Sequence, residues 1–517
     1  MGALGLFGRY GYNAGRVKLD RRRGWFLVAC VFCLAAVHAF ISTCDHDEIA
    51  YLHAGWLVGS GQRPFLDFFE HHHPALSYLL APVTLLFGDH SRNLVFACRL
   101  LDLSLVGVMV LALSRAVSGS SDARDPDRAP WVAILLLGSW YFLRNAIEVR
   151  PDPFMTLFAV LALCAWLRHL RERRARDAFL SGLFLGASFV FQQKALIFAA
   201  LLIMASALVV IRRRTGGAAL VRGAGLAVLG MFLPITAFAI FLTRFGLLSE
   251  TVFWSYRFNS FYYLQPTVSA FSAGPVVAHA IAEAPVLWCL GLAGMVAAAQ
   301  SFFHSDRSRV DEEGIILAVL TGGLLLALFR SKLPFQHNLL LMLPPLSVLA
   351  ARQLERMPQS HLRAAVGIVA VLMVVKIAVY AFVYNENRGH ENVQARALSL
   401  ASPGQAVFIA PPFNPISRPD SLYFWYDAPR KTKVYAEYCR ANPCVDNKLD
   451  RERTLWSTHP PALVYVAPKD PEALPFEWAL HQREYEPIDG AGSTGFLRRR
   501  SGTTAASAAA SPQPVVR

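Results

Sequence analysis

Apolar stretches recur from Trp25 to Tyr384, most of them of the roughly 17–25 residues that cross a hydrocarbon core of about 30 Å as a helix. They read as spans at 24–42, 93–115, 131–147, 153–168, 178–192, 195–211, 224–245, 276–303, 314–329, 338–351 and 364–385, about eleven in all. Composition points the same way. With 54% hydrophobic and 17% charged residues among 517, the chain carries more apolar surface than a soluble core needs, and the excess must face lipid. The formal charge of +14 gathers largely in short clusters between the apolar stretches, the pattern of topogenic loops and not of a nucleic-acid-binding surface.

Arg9, Arg16, Lys18, Arg21, Arg22 and Arg23 precede the first span, and no strong cleavage site follows it, so it reads as an uncleaved anchor with a cytoplasmic N-terminus. One further apolar segment, 74–88, decides the topology. It is short for a span and is interrupted by Pro82. If it crossed, the clusters Arg168/Arg171/Arg173/Arg174/Arg176 and Arg212/Arg213/Arg214 would fall outside, against the Lys/Arg bias of cytoplasmic loops. It is therefore expected to be re-entrant or juxtamembrane, although the acidic 304–313 loop gives this choice no support. Segments 43–92, 147–153, 192–195, 246–275 and 330–338, and everything after 385, then share the outer side of a bacterial inner membrane.

Three regions follow: a membrane part over 1–385, a small outer α/β domain over 386–500 and a disordered tail over 501–517. Ala406 to Ala410 and Ala462 to Ala467 read as short buried strands, whereas the Ser/Thr/Ala/Pro tail lacks the patterning to order itself. Cys439 and Cys444 stand close together in a polar segment, spaced for a short disulfide loop, with two free thiols as the alternative. The other cysteines lie mostly in apolar stretches, as packing residues. Arg99 and Asp102, three apart on one span, are expected to neutralise each other.

The segment after the first span is dense in acids and imidazoles: Asp45-His-Asp-Glu-Ile-Ala-Tyr51, then Arg63-Pro-Phe-Leu-Asp-Phe-Phe-Glu-His-His-His-Pro74. A carboxylate there could activate a hydroxyl or amine acceptor, and the acids could also hold a divalent metal against a phosphate leaving group. A solvated loop whose charges do nothing is the alternative. Asp47-Glu48 with Tyr51, Gly61-Gln-Arg-Pro64, Asp67-Phe68 and Glu70-His-His-His-Pro74, taken in order, resembles the first outer loop of the GT-C glycosyltransferases. The nearer relatives in that resemblance are protein-mannosyltransferase-like proteins and the aminoarabinose transferases of lipid A.

The resemblance implies a GT-C fold over roughly 25–385, with juxtamembrane helices in the first outer loop, and Asp47 as catalytic base. Glu148-Val-Arg-Pro-Asp152 is similar to the second outer acidic motif of the family. Asp152 and Glu48 would position sugar or acceptor. Lys194, in Phe191-Gln-Gln-Lys-Ala195, resembles a family lysine near the donor phosphate, and Lys332, in Arg330-Ser-Lys-Leu-Pro-Phe-Gln-His337, is a second phosphate-ligand candidate. Phe335 stands where the family carries an aromatic, usually Tyr. Arg257 is added as a third cation because of its side of the membrane and its chemistry, more than because of a motif. The chain departs from the family where three histidines replace the usual Lys-Pro-Pro or His-Pro-Pro run, which bears on metal and donor geometry near Glu70.

The resemblance thus implies an inverting transfer of a sugar from a polyprenyl-phosphate donor to a lipid, glycan or protein acceptor. A transporter or flippase of a lipid-linked glycan would also place charges at membrane depth, but it leaves unexplained the clustering of polar groups on one side and the missing internal repeat. A non-catalytic scaffold explains the outer domain but not the acidic loop.

Overall fold

In the computed structural model the described residues are 21–89, 91–118, 128–213, 217–265, 272–303, 311–383, 386–426, 428–442, 444, 447–466, 481–488 and 495–500. The tail and most of the basic N-terminal segment lie outside them. Helix α1 (Arg21–Ile41) leads into two helices of the first loop, α2 (His46–Gly59) and α3 (Ala75–Phe87), and then into α4 (Ser91–Ser118). The span expected over 131–147 is two helices, α5 (Arg128–Leu137) and α6 (Trp140–Ile147), because Gly138 and Ser139 interrupt the apolar run. Next come α7 (Pro151–Glu172), α8 (Ala175–Phe191), α9 (Ala195–Arg213) and α10 (Gly217–Arg244). A broken loop helix follows, made of α11 (Leu248–Val252), a π-helical turn (Phe253–Phe258) and α12 (Asn259–Leu264).

The span expected over 276–303 is likewise divided, into α13 (Ala273–Glu283) and α14 (Pro285–Phe303), by a proline that cannot continue the hydrogen-bond ladder. Helices α15 (Glu312–Arg330), α16 (Leu343–Leu354) and α17 (Gln359–Phe382) complete the bundle, with a short 3₁₀ turn (Gln336–Leu339) before α16. Eight of the described helices are long and apolar enough to cross a membrane, α1, α4, α7, α9, α10, α14, α15 and α17 among them. The remaining expected spans are built from shorter helices. Leu86, Phe303 and Phe382 are among many large apolar side chains left on the surface, as lipid-facing positions require.

Helices in lipid associate through close packing more than through burial of apolar area. The α8/α10 pair illustrates this. A Cβ on Gly182 would overlap the Ala227 carbonyl and one on Gly230 the Phe179 carbonyl, so only glycine lets these two backbones meet. Helix α3 packs on α2 and α4. The residues flanking α3 on both sides reach the same C-terminal region, His71 meeting Lys431 before it and Asp89 meeting Arg418 after it. A helix whose two ends return to one region is consistent with the re-entrant or juxtamembrane reading. The basic clusters gather at the opposite end of the bundle, where Arg171 pairs with Glu313 at 2.6 Å and Arg212 donates to the Phe302 carbonyl at 2.8 Å.

The chain after α17 forms α18 (Asn387–Leu400), β1 (Val407–Ile409), α19 (Ala428–Ala441), α20 (Lys448–Thr458), β2 (Leu463–Val466), β3 (Tyr485–Pro487) and β4 (Gly495–Arg499). The strands form one sheet in the order β1-β2-β4-β3, parallel between β1 and β2 and antiparallel elsewhere. Cys439 and Cys444 are joined as a disulfide at the end of α19. This region does not keep its core to itself. Tyr423, Phe424, Val434 and Tyr435 pack in one cluster with Phe65 and Phe69 of the first loop and Trp254 and Phe258 of the π turn.

Candidate active site

Asp45 to Glu48 is an Asp-x-x-Glu capping sequence. The Asp45 side chain accepts from the Asp47 N–H at 3.0 Å, and Glu48 Oε2 accepts from the Asp45 N–H at 2.9 Å. The cap starts α2 at His46 and fixes the direction of its first turn. Neighbouring residues on a helix point about 100° apart, so Asp47 and Glu48 cannot face the same way. Asp47 lines a cavity of about 760 Å³, whereas Glu48 is fully buried against the bundle.

All six segments assigned to one side in the sequence contribute to that cavity wall: Asp47 and Glu70, Arg150, Lys194, Tyr262, Lys332 with His337, and Tyr426 from the C-terminal region. Its size suits a substrate-binding cleft. At its centre is Arg150, which precedes Pro151 at the start of α7. Its guanidinium lies 2.7 Å from Asp47 Oδ2 and 3.8 Å from both Glu148 and Asp152, and it donates to His337 Nδ1 at 3.2 Å. Asp152 stands in the first turn of α7, where the helix dipole favours a carboxylate, and Lys194 Nζ approaches its Oδ1 at 3.2 Å.

Burial alone would raise the Asp47 carboxyl, but Arg150, His46 and the Tyr426 hydroxyl outweigh it and hold the group below the usual carboxylate range. Burial and the nearby Asp45 charge push the Glu148 carboxyl up to about 8, against the pull of Arg150 and Arg144. Burial holds His337 neutral, helped by Lys194 and Arg150, which suits its role as acceptor from the Arg150 guanidinium.

Glu48 has a different surrounding. Arg99 grips it with Nε–Oε1 at 2.9 Å and Nη2–Oε2 at 2.5 Å, and the Val149 N–H donates to Oε1 at 3.1 Å. Arg99 therefore pairs with Glu48 and not with Asp102, contrary to the expected intrahelical neutralisation. Position on the same helix fixed only proximity, and the bidentate fork found a better-placed carboxylate on α2. Asp102 Oδ2 is buried without a hydrogen-bond partner among the described residues.

Of the cations picked from the sequence, Lys194 and Lys332 line the cavity and Arg257 does not. The π turn buries Trp254, Ser255 and Phe258 and leaves Arg257 exposed, while Asn259 and Tyr262 one turn later reach the wall instead. Lys332 is exposed and makes no ion pair among the described residues.

Two side-chain groups have a metal-ligand composition, Glu70/His71/His72 and Asp45/His46/Asp47, each with ligand atoms within 4.8 Å of one another. Each also faces a fixed cation. The Arg150 guanidinium is 2.7 Å from Asp47, and the Lys431 ammonium is 3.3 Å from His71 Nε2. Neither arrangement fits a resident divalent ion, because the ion would have to displace or sit against a positive charge already in place.

The residues that sequence reasoning missed are Arg150, His337, Tyr426 and Lys431. Arg150 and His337 stood inside quoted motifs, where a guanidinium between two acids was the available signal. Tyr426 and Lys431 carried none. Tyr426 donates to Asp47 Oδ1 at 2.5 Å across 379 residues, and buried Lys431 lies 4.5 Å over the Tyr262 ring and 5.0 Å over Phe69.

Residues 71–238 match the family model for dolichyl-phosphate-mannose-protein mannosyltransferases. No curated protein matches the sequence. Among solved structures, ArnT from Cupriavidus metallidurans bound to undecaprenyl phosphate is similar, with a TM-score of 0.59 and 15% identity over 95% of this chain and 99% of that one. The same protein in its apo state gives a TM-score of 0.61 and 14% identity over 90% and 95% of the two chains.

Proposed function

We propose that this chain, whose fold is that of the GT-C membrane glycosyltransferases, moves a sugar from a polyprenyl-phosphate donor to an envelope lipid, glycan or protein. The observation that carries the reading is one cavity in which the ionised Asp47 carboxylate stands among Arg150, Lys194, Lys332 and Lys431, with Asp152 buried behind Lys194 outside the cavity wall. The undecaprenyl phosphate bound to the similar ArnT supports the donor class. The acceptor oxygen bonds to the anomeric carbon and gives its proton to Asp47, while the carbon–oxygen bond to phosphate breaks and the electron pair leaves with the lipid phosphate. Direct displacement of this kind inverts the sugar. Lys194 and Lys332 face the charge that develops on the leaving group, which is where a placed cation lowers the barrier. Asp152 holds Lys194 in place and Glu48 holds the first loop to the bundle. Purified protein given a polyprenyl-phosphate hexose and an envelope acceptor is expected to release free polyprenyl phosphate. No release with any lipid-linked sugar, together with movement of a glycolipid between leaflets of reconstituted vesicles, would replace this reading with a flippase.

Lys332→Met keeps most of the apolar stem and deletes the charge. Release is expected to fall on the order of 10–100-fold, less than for a fully enclosed donor, because solvent screens an exposed ammonium. Release equal to wild type strikes Lys332 from the site and leaves it an interfacial anchor.

In the same reading the protein sits in a bacterial inner membrane, residues 1–385 form the catalytic membrane part, and the cavity and the 386–500 domain face outward. The Cys439–Cys444 disulfide suits an oxidising compartment. Cysteine placed at Ser60 or Leu264, both exposed, should react with an impermeant thiol reagent on intact cells, and cysteine at Arg174 only after permeabilisation. The reverse pattern would put the site in the cytoplasm.

A further inference from the structure

Asp47 has two oxygens and holders from two distant parts of the chain, with His46 Nε2 of its own helix also 3.3 Å from Oδ1. Arg150 takes Oδ2 at 2.7 Å from the start of α7, and Tyr426 donates to Oδ1 at 2.5 Å from the segment just before α19. Left with Arg150 alone, a carboxylate turns to meet the guanidinium fork with both oxygens, the geometry this pair prefers. The tyrosine opposes that turn. Each carboxylate oxygen has two lone-pair sites; Tyr426 and His46 lie on Oδ1, and Arg150 alone on Oδ2 leaves one site of that oxygen open. We propose that Tyr426 is a positioning residue of the transfer reaction: it holds the Asp47 carboxylate in the rotation that keeps a lone pair open to the acceptor. This rests on the reading of Asp47 as the base.

Tyr426 is equipped for that task. Its ring stacks on His46 at 6.2 Å and 14° between planes, and it lies 5.8 Å from the neighbouring Trp425. Trp425 in turn donates from its indole to the Phe69 carbonyl at 3.2 Å. Two residues back, the Tyr423 hydroxyl donates to the Phe65 carbonyl at 2.6 Å, and its own carbonyl accepts from the Phe69 N–H at 2.8 Å. Further back, Asp420 meets the buried His53 of α2 at 2.7 Å. The segment is thus fastened to α2 through His53 and to the loop that follows it through Phe65 and Phe69, and the hydroxyl arrives with little freedom left. Burial and the Asp47 charge keep that hydroxyl protonated, so it remains a donor.

The test is Tyr426→Phe, which keeps the ring and its stacking and removes only the donor. Turnover with a polyprenyl-phosphate sugar should fall roughly 10- to 100-fold, the worth of one hydrogen bond to a charged group, with KM for the donor within about twofold of wild type. The same substitution in an Asp47→Asn background should then cost less than about twofold more, because a residue that acts through Asp47 has nothing left to position. Single-turnover assays reach that background, since a typical turnover of about 10 s⁻¹ reduced 10²–10⁴-fold is still measurable. Wild-type turnover in Tyr426→Phe overturns the proposal. So does an equal loss in both backgrounds, which would mark Tyr426 as a fold contact. Absence of turnover in wild type itself would instead count against the transferase reading.

Discussion

Asp47→Asn is expected to lower turnover by roughly 10²–10⁴-fold while leaving the protein folded and the donor bound. The substitution preserves the size of the side chain; its amide oxygen can still accept from Arg150, and its NH2 can donate to the Tyr426 hydroxyl oxygen in a reversed bond. What disappears is the capacity to take a proton. Because the carboxyl is held below the usual range, Asp47 is ionised throughout the neutral region, and the wild-type kcat/KM profile should show no acid limb from it above about pH 4. The sign follows from the direction of the shift: a depressed carboxyl loses its charge only at more acidic pH than a free one. A carboxylate so stabilised is a weak base toward a resting hydroxyl. It accepts the proton as the acceptor oxygen acidifies during bond formation, which ties its contribution to the transition state and hence to kcat. Turnover by Asp47→Asn near that of wild type would remove it from the role.

Arg99→Met should cost more of the fold than any change in the cavity. Glu48 is fully buried, and its two oxygens are satisfied by the Arg99 fork and by the backbone N–H groups of Asp45 and Val149. Removing the guanidinium leaves a buried carboxyl group in the bundle with two of its donors gone. Breaking one side of a buried pair costs about 3–5 kcal/mol, against a net stability of about 5–15 kcal/mol for a folded chain. Thermal melting in detergent should show a large fall, and yield in the membrane should drop with it. Glu48→Gln combined with Arg99→Met removes both charges and should recover much of the loss. If the double variant melts as low as the single one, the Arg99 bonds to the Ala39, Ser42 and Thr43 carbonyls carry the stability and the ion pair does not.

The two experiments separate residues that stand side by side in the sequence, and the contrast shows what the sequence could reveal. The spans were legible because hydrocarbon thickness imposes a length that hydropathy reports residue by residue. The start of α2 was legible because Asp45 and Glu48 form a local cap. The breaks at Gly138–Ser139 and at Pro285 were present as letters but lay inside runs whose apolar character dominated the reading. The partner of Arg99 was not legible, since α2 and α4 are brought together by packing that no spacing encodes. Tyr426 was further out of reach, because a tyrosine among Trp and Phe residues in the C-terminal region resembles ordinary core until it is found on Asp47.

The ties between the C-terminal region and the first loop, Asp420 to His53, Arg418 to Asp89 and Arg451 to Asp67, join parts of the chain that lie more than 300 residues apart. Translation delivers Asp47 early and Tyr426 hundreds of residues later. Throughout that interval the bundle helices can insert and pack while the carboxylate lacks its tyrosine donor. The surroundings of Asp47 are therefore complete only once the later segment has settled on the earlier loop. A ribosome-bound chain still short of that segment would be a membrane protein in every respect except its chemistry.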